Sequence, residues 1–152
     1  MTITGITPFL WFNTEAEEAA NYYVSLFPNS RIKHVSRYGD AGPGPKGSVM
    51  VVSFEIAGQA LTALNGGPIY RLSEAFSLLV NCTEQAEIDR LWEALSATPN
   101  VCGWTKDKFG LSWQINYAGL PELMTGPSAG KVMGAMMGMK KIDIQALKDA
   151  AR

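Results

Sequence analysis

The feature that most constrains the fold is an echo between the two halves of the sequence. When position 10 is placed on position 79, a shift of 69, the run 10–15 (LWFNTE) falls on 79–84 (LVNCTE) and Leu26 falls on Leu95. Each half then reads as a strand, a Thr-Glu pair, an amphipathic helix and further strands. Two consecutive βαβββ units of this kind indicate a diverged duplication. Chance similarity between two α+β segments is the alternative that the pattern leaves open.

The first half is expected to contain four strands and one helix. Thr14 is placed to cap the helix and Glu17 to close a capping box, and Pro28-Asn29 ends it. The loop 39–47 holds four glycines and two prolines, so it is expected to be irregular. The expected strands are 3–12, 31–38, 48–56 and 59–64.

The second half repeats this order. The run 75–80 is an expected strand, Thr83 an expected N-cap, and 84–95 an expected helix with apolar residues at helical spacing. The runs 101–104 and 111–116 then read as strands, joined by a turn at Lys106-Asp107-Lys108-Phe109-Gly110. The sequence predicts one domain, 1–152, made of a module 1–68, a module 69–120 and a C-terminal helical extension 121–152.

The extension contains an unusual helix, 128–140, with Gly130, Gly134 and Gly138 four residues apart. Each glycine costs about 1 kcal/mol relative to alanine inside a helix, so the stripe suggests close packing of another backbone. Packing on its own domain is the favoured interpretation, and a second subunit or the rim of a cavity is the alternative. A last short helix is expected to begin at Asp143 as its N-cap.

Charge and composition exclude several classes of function. The formal net charge is −1 and the basic residues are scattered, which argues against nucleic acid or a membrane surface as a partner. No apolar run is long enough to cross a bilayer, and the first residues lack a basic leader, so a cytoplasmic protein is expected. The charged fraction of 18% is low, which suggests surface hidden in an oligomer. Cys82 and Cys102 are expected to be reduced thiols packed as small apolar residues.

Several sequence runs resemble PhnB-like proteins of the vicinal oxygen chelate (glyoxalase, bleomycin resistance, dioxygenase) superfamily. The resemblance covers nearly the whole chain and implies an α+β fold. In that fold, paired βαβββ modules form a curled, mostly antiparallel sheet around a cavity, often in a homodimer. Many relatives carry the label 3-demethylubiquinone-9 3-methyltransferase. The runs that carry the resemblance are 6–12 (ITPFLWF), 42–47 (GPGPKG), 62–68 (TALNGGP), 102–104 (CGW), 106–114 (KDKFGLSWQ) and 140–144 (KKIDI).

The resemblance also implies where a metal would lie. Metal-dependent members of the superfamily hold a divalent ion with His and Glu on strands that face the cavity. None of the matching positions of this sequence carries His, Asp or Glu: they are Pro8, Thr62, Ser73 or Ala75, and Gln114. His34 is the only histidine and lies on another expected strand. We therefore expect no bound metal and no cofactor, with Glu74 and Gln114 as the only candidates for a weak site.

The methyltransferase label has no support in the glycine-rich runs. A nucleotide-like methyl donor is usually held by a glycine-rich turn between a strand and a helix. The run 42–47 contains two prolines and precedes a strand, and the run 65–68 leads into no clear helix. We expect both to be ordinary loops.

Strand alternation suggests which residues line a cavity. Trp11 and Trp113 should lie on the opposite face, beneath helices. Such a cavity would suit a small apolar or weakly polar ligand, although the same residues could instead fill a collapsed interior. The cavity candidates are Leu10, Phe12, Thr62, Asn65, Ser77, Trp104, Ser112 and Gln114.

Three functions are compatible with these features. The leading hypothesis is a homodimeric small-molecule-binding protein without metal, serving sequestration or sensing. The second is a metal-dependent lyase, isomerase or dioxygenase, and the third is a structural dimer module. No residue can be given a catalytic role from sequence, because the expected cavity is poor in general acids and bases.

Overall fold

The structure is a computed structural model that describes residues 1–152, and the chain forms two compact units, 1–72 and 73–152. No helix has the length and apolar character needed to cross a membrane. The elements of the first unit are β1 Phe9–Phe12, α1 Ala16–Leu26, β2 Arg31–Arg37, β3 Val49–Ile56 and β4 Gln59–Asn65. Those of the second are β5 Ser77–Cys82, α2 Gln85–Leu95, β6 Thr98–Pro99, β7 Trp104–Lys106, β8 Ser112–Tyr117, α3 Leu120–Leu123, α4 Ala129–Met137 and α5 Ile144–Ala150.

The first unit is a four-stranded sheet in the order β1-β4-β3-β2, covered on one face by α1. β1 pairs with β4 in parallel, and the other two pairings are antiparallel. On the covered face Tyr23 of α1 packs against Phe54 of β3, with ring centroids 6.4 Å apart, and both residues are fully buried. Burial of such large apolar side chains is the main stabilising term of a sheet–helix layer.

The second unit repeats this plan with the order β5-β8-β7-β6. β5 pairs with β8 in parallel, and the two remaining pairings are antiparallel. Ile88, Leu91 and Leu95 of α2 are buried, as are Trp113 and Ile115 of β8. The fold class expected from the sequence, paired βαβββ modules in mostly antiparallel sheets followed by C-terminal helices, is confirmed.

The two modules align differently in their helices and their strands. The helices superimpose at a shift of 69, since Ala16 corresponds to Gln85. The strands align at 70, because Phe12 and Cys82 are both buried ends of a parallel strand, followed by linkers of unequal length, 13–15 and 83–84. In a β-strand, an error of one residue exchanges the two faces. Phe9 therefore corresponds to Leu79, and Thr62, the partner of Phe9, corresponds to Gln114, the partner of Leu79.

Several element boundaries differ from those expected. β1 begins at Phe9 rather than at position 3, and β5 spans Ser77–Cys82 rather than 75–80. The expected strand at 101–104 is wrong: the chain turns there, with Cys102 at φ 59° and Gly103 at φ 80°. The turn is held because the Cys102 and Gly103 N–H groups donate to the carbonyls of Met139 and Lys140, 2.8 Å away in each case. These long-range bonds are invisible to local sequence patterns.

The expected caps of the first two helices are also wrong. Neither Thr14 nor Thr83 makes a capping hydrogen bond. For α1 the capping acceptor is instead the Asn65 side chain, whose Oδ1 accepts from the Ala16 N–H at 2.8 Å. The last cap is confirmed, since Asp143 Oδ1 accepts from the Ala146 N–H at 3.0 Å.

The glycine stripe of α4 does not pack against its own domain, contrary to expectation. A Cβ atom built on Gly130 or Gly134 would have no heavy atom within 4 Å. Met133 and Met137 beside the stripe are exposed, and Val132 is the buried residue of this helix.

Candidate functional site

Two of the eight predicted cavity residues lie in the core. Leu10 and Phe12 are 1% and 3% exposed, and Leu10 pairs with the buried Ala63 on the face that α1 covers. They are therefore packed beneath α1 and do not line an open face, because alternation along β1 places Phe9 and Trp11 on the open face instead. Thr62 lies on the opposite, open face of the sheet, next to Phe9.

Trp11 also lies on the open face of the first sheet rather than beneath a helix. Its indole Nε1 donates to the Gly67 carbonyl at 2.9 Å, and its ring packs edge-on against Tyr70 at 4.9 Å. Gly66 is required at this contact, since a Cβ there would lie 2.3 Å from the indole ring. The glycine-rich run 65–68 is therefore explained by the packing of Trp11.

Four of the five remaining predicted residues lie together on the open face of the second sheet: Ser77, Trp104, Ser112 and Gln114. The fifth, Asn65, ends β4 of the first sheet. Ser77 pairs with Ser112 and Trp104 pairs with Gln114, and paired residues project to the same side. The Gln114 amide Nε2 donates to Ser77 Oγ at 3.0 Å. Leu79, which is 50% exposed, pairs with Gln114 and adds an apolar patch to this face.

Ser112 is the distinctive residue of this face. Its side chain is 1% exposed, yet its Oγ has no hydrogen-bond partner. A buried hydroxyl without a partner costs about 1–3 kcal/mol, so buried hydroxyls in native proteins are normally given a hydrogen-bond partner. Ser112 lines a small depression of about 60 Å³ together with Trp104, Asn100 and Lys106. We call this depression and the adjoining Gln114 and Ser77 the Ser112 site.

An ion pair closes one side of the Ser112 site. Lys106, the β7 partner of Ser112, forms a salt bridge with Glu74. The hydrogen bond from the Lys106 ammonium holds the pKa of the Glu74 carboxyl below its usual range. Because the carboxylate and the ammonium balance, the Ser112 site carries no net charge from its lining side chains.

The hairpin that carries the Ser112 site is held by a buried carboxylate. Asp107 Oδ1 accepts from the N–H groups of Phe109 and Leu111, at 2.8 and 3.1 Å. Its Oδ2 accepts from the indole Nε1 of Trp113 at 2.8 Å. These bonds orient β7 and β8, which place Trp104, Lys106, Ser112 and Gln114 side by side.

The residues present do not fit a catalytic metal ion. No group of three or more His, Cys, Asp or Glu side chains lies close enough to hold one. Pro8 has no side-chain donor atom, Glu74 is paired with Lys106, and the Gln114 amide is bonded to Ser77. His34 pairs with Ser53 on an exposed strand of the other unit.

Sequence reasoning missed three contributors. Lys106 lies two residues after Trp104, so strand alternation was sufficient to place it on the same face. Its pairing with Glu74 and the cap made by Asn65 are both long-range contacts, for which the sequence carries no local signal.

The two units share one strand order, and the second carries on its open face a polar site without net charge. These features define a duplicated βαβββ protein of the α+β class. A family model described as 3-demethylubiquinone-9 3-methyltransferase matches residues 4–116, well over half of the chain. The chain belongs to this family, the PhnB-like family.

Solved structures agree with this assignment. A Bacillus cereus protein described as "Putative 3-demethylubiquinone-9 3-methyltransferase, PhnB protein" is 35% identical, with a TM-score of 0.65 over 73% of this chain and 97% of that one. Protein PA1353 of Pseudomonas aeruginosa is 22% identical, with a TM-score of 0.56 over 73% and 95%. An Arabidopsis thaliana gene product is 16% identical, with a TM-score of 0.51 over 76% and 99%. The last two share the fold alone. No curated protein matches the chain.

Proposed function

We propose that the chain is a small-molecule-binding protein whose ligand occupies the Ser112 site without the help of a metal. The observation that carries this proposal is the buried, unpartnered Oγ of Ser112 in a depression on an open sheet face. A ligand that bonds to this hydroxyl would remove the cost of leaving it unsatisfied. The free energy that the unpartnered Ser112 hydroxyl costs in the free protein would then favour binding of the ligand.

The chemistry of the lining defines the class of ligand. Ser112, Ser77 and Gln114 supply neutral hydrogen-bonding groups, and the salt bridge between Lys106 and Glu74 leaves no unbalanced charge. Trp104 and Leu79 add an aromatic ring and an apolar surface on the same face. The depression of about 60 Å³ has room for one hydrogen-bonding group of a small, weakly polar molecule, whose apolar body would lie over Trp104 and Leu79 on the open face.

A metal-dependent lyase, isomerase or dioxygenase of the vicinal oxygen chelate superfamily is the alternative. Lewis-acid chemistry of that kind needs about three converging hard or imidazole ligands. The lack of such a group among the side chains favours the metal-independent proposal. Methyl transfer, the activity in the family description, is disfavoured as well. The glycines of the two candidate donor loops are explained by packing, Gly66 against Trp11 and Gly44 against Tyr38.

We further propose that the protein acts as a cytoplasmic homodimer. Large apolar side chains are exposed, among them Phe9 at 59% and Met137 at 65%, and a partner subunit would bury such surface. Cys82 and Cys102 are both free thiols, as expected in a reducing compartment.

The test is a ligand-observed NMR screen of neutral aromatic fragments in the presence of EDTA. Hits are then titrated against Ser112→Ala and Gln114→Leu, with Ser25→Ala on the exposed face of α1 as a matched control. Loss of one hydrogen bond, about 1 kcal/mol, should weaken binding to Ser112→Ala about fivefold. Ser112→Ala should also keep or raise the melting temperature, because the substitution removes an unsatisfied hydroxyl. Equal affinity in all variants, or binding only after metal is added, would refute the proposal.

A further inference from the structure

A cleft in the first unit is separate from the Ser112 site and has a volume of about 450 Å³. It lies among the first turn of α1, the loop 39–48 and the turn after β4. This volume is within the range of small-molecule sites, about 300–1,000 Å³. Of the residues predicted to bind a ligand, only Asn65 lines it.

The walls of this cleft are preformed. The Tyr38 ring is almost fully buried, and its hydroxyl donates to the Asn65 carbonyl at 2.6 Å. Gly44 lies directly on this ring, where a Cβ would be 2.3 Å from a ring carbon. The base of the loop is closed by two backbone bonds, Tyr38 N–H to Ser48 O at 2.9 Å and Gly47 N–H to Tyr38 O at 2.8 Å. The glycine- and proline-rich loop 39–47 therefore forms a fixed wall of the cleft.

The charge of the lining is entirely negative. Glu17 and Glu18 are the only charged side chains that line the cleft. The nearest cation of the loop, Lys46, is paired with Asp40 at 2.9 Å and is not part of the lining. Both glutamates lie in the first turn of α1 and so offset its dipole, which removes the attraction that a helix N-terminus has for anions.

The remaining lining is uncharged and contains both apolar and polar residues. Tyr38, Pro43, Pro45 and Val49 provide the apolar part, and Asn13, Thr14, Ser48 and Asn65 provide the polar part. Carboxylates beside apolar groups attract an organic cation through charge, while the apolar body of the ligand packs against Pro43, Pro45 and Val49. The polar groups of Asn65 are already used, because its side chain binds the Ala16 N–H and the Val49 carbonyl.

We infer that this cleft is a second binding site, specific for a small organic cation that carries an amine or quaternary ammonium group on an apolar body. The inference does not depend on the Ser112 site. The two sites lie in different units of the chain and select ligands of different charge.

The test compares three ligands of one shape: phenethylamine, the neutral 2-phenylethanol and the anionic phenylacetate. Binding is followed by the backbone amide NMR shifts of residues 38–49 of the full chain. The shifts of these signals should show that phenethylamine binds at least tenfold more tightly than 2-phenylethanol, and phenylacetate should cause no shift. The affinity for phenethylamine should fall at least tenfold in the double variant Glu17→Gln/Glu18→Gln. It should remain unchanged in the control variant Glu122→Gln, which replaces an acidic residue of α3.

Four outcomes would overturn the inference. They are equal binding of the neutral ligand, retained affinity in the double glutamine variant, shifts confined to the second unit, and no shift of any signal with phenethylamine. The Ser112→Ala variant should bind phenethylamine normally, so failure here is distinguishable from failure of the proposed function.

Discussion

We predict that the Asn65 side chain stabilises the N-terminus of α1, although Asn65 lies 49 residues after Ala16 in the sequence. Its Oδ1 accepts from the Ala16 N–H at 2.8 Å and its Nδ2 donates to the Val49 carbonyl at 3.1 Å. The substitution Asn65→Ala removes both bonds at once. The local sequence instead points to Thr14, whose side chain makes no capping bond.

The size of the effect follows from burial. Ala16 is fully buried, so its N–H would be left without an acceptor, at a cost of about 1–3 kcal/mol. Loss of the bond to the Val49 carbonyl adds about 1 kcal/mol. We expect Asn65→Ala to lower the free energy of unfolding by about 2–4 kcal/mol, Asn65→Asp, which keeps the acceptor, by about 1 kcal/mol, and Thr14→Ala by less than about 0.5 kcal/mol.

Urea denaturation followed by far-ultraviolet circular dichroism measures these differences directly. The urea concentration at the unfolding midpoint should be highest for Thr14→Ala, lower for Asn65→Asp and lowest for Asn65→Ala. The dependence of the free energy of unfolding on urea concentration should be unchanged. In thermal unfolding, a loss of 2–4 kcal/mol corresponds to about 4–16 °C for a chain of this size. If Thr14→Ala destabilises as much as Asn65→Ala, the long-range cap is refuted.

Three further predictions concern groups in the second unit. Asp107→Ala should lower the free energy of unfolding by more than about 3 kcal/mol, because three N–H donors lose their acceptor, and denaturant titration measures it. The pKa of Glu74 should lie below its ordinary value, so its pair with Lys106 breaks only as the pH falls through that lowered pKa. A carboxyl ¹³C NMR titration should show the pKa rising in Lys106→Gln. Burial raises the pKa of the Cys82 thiol, so Cys82 should react with iodoacetamide much more slowly than an exposed cysteine, as followed by peptide mass spectrometry.

Much of the fold was predictable from sequence because it is determined by local periodicity. Strand alternation and helical spacing identified both helices of the βαβββ units and most strands, and the echo identified their common order. What failed was the exact correspondence between modules. The linker 13–15 is one residue longer than 83–84, so the strands of the two modules align at a shift of 70 and not of 69. The cavity face of the first strand was assigned to Leu10 and Phe12 together with Pro8, whereas Phe9 and Trp11 lie on the open face.

The candidate site, too, was predictable only in part. Ser77, Ser112 and Gln114 were placed on one face because alternation holds within regular paired strands. The pairing of Lys106 with Glu74 could not be predicted, since it depends on tertiary contacts between distant parts of the chain. The C-terminal glycine stripe shows a different failure, in which a local sequence pattern was misleading. Its spacing predicted close packing, but α4 exposes Gly130 and Gly134.

Native mass spectrometry of the untagged chain tests the central claim most directly. The protein is incubated with the tightest neutral fragment from the screen and with Mn²⁺, Fe²⁺, Ni²⁺ and Zn²⁺ in turn. A metal-independent binding protein should show the mass of the chain plus the fragment, with no metal increment and the same occupancy in EDTA. An increment of one metal ion per chain, with the fragment bound only in its presence, would contradict the claim and favour the metal-dependent enzyme.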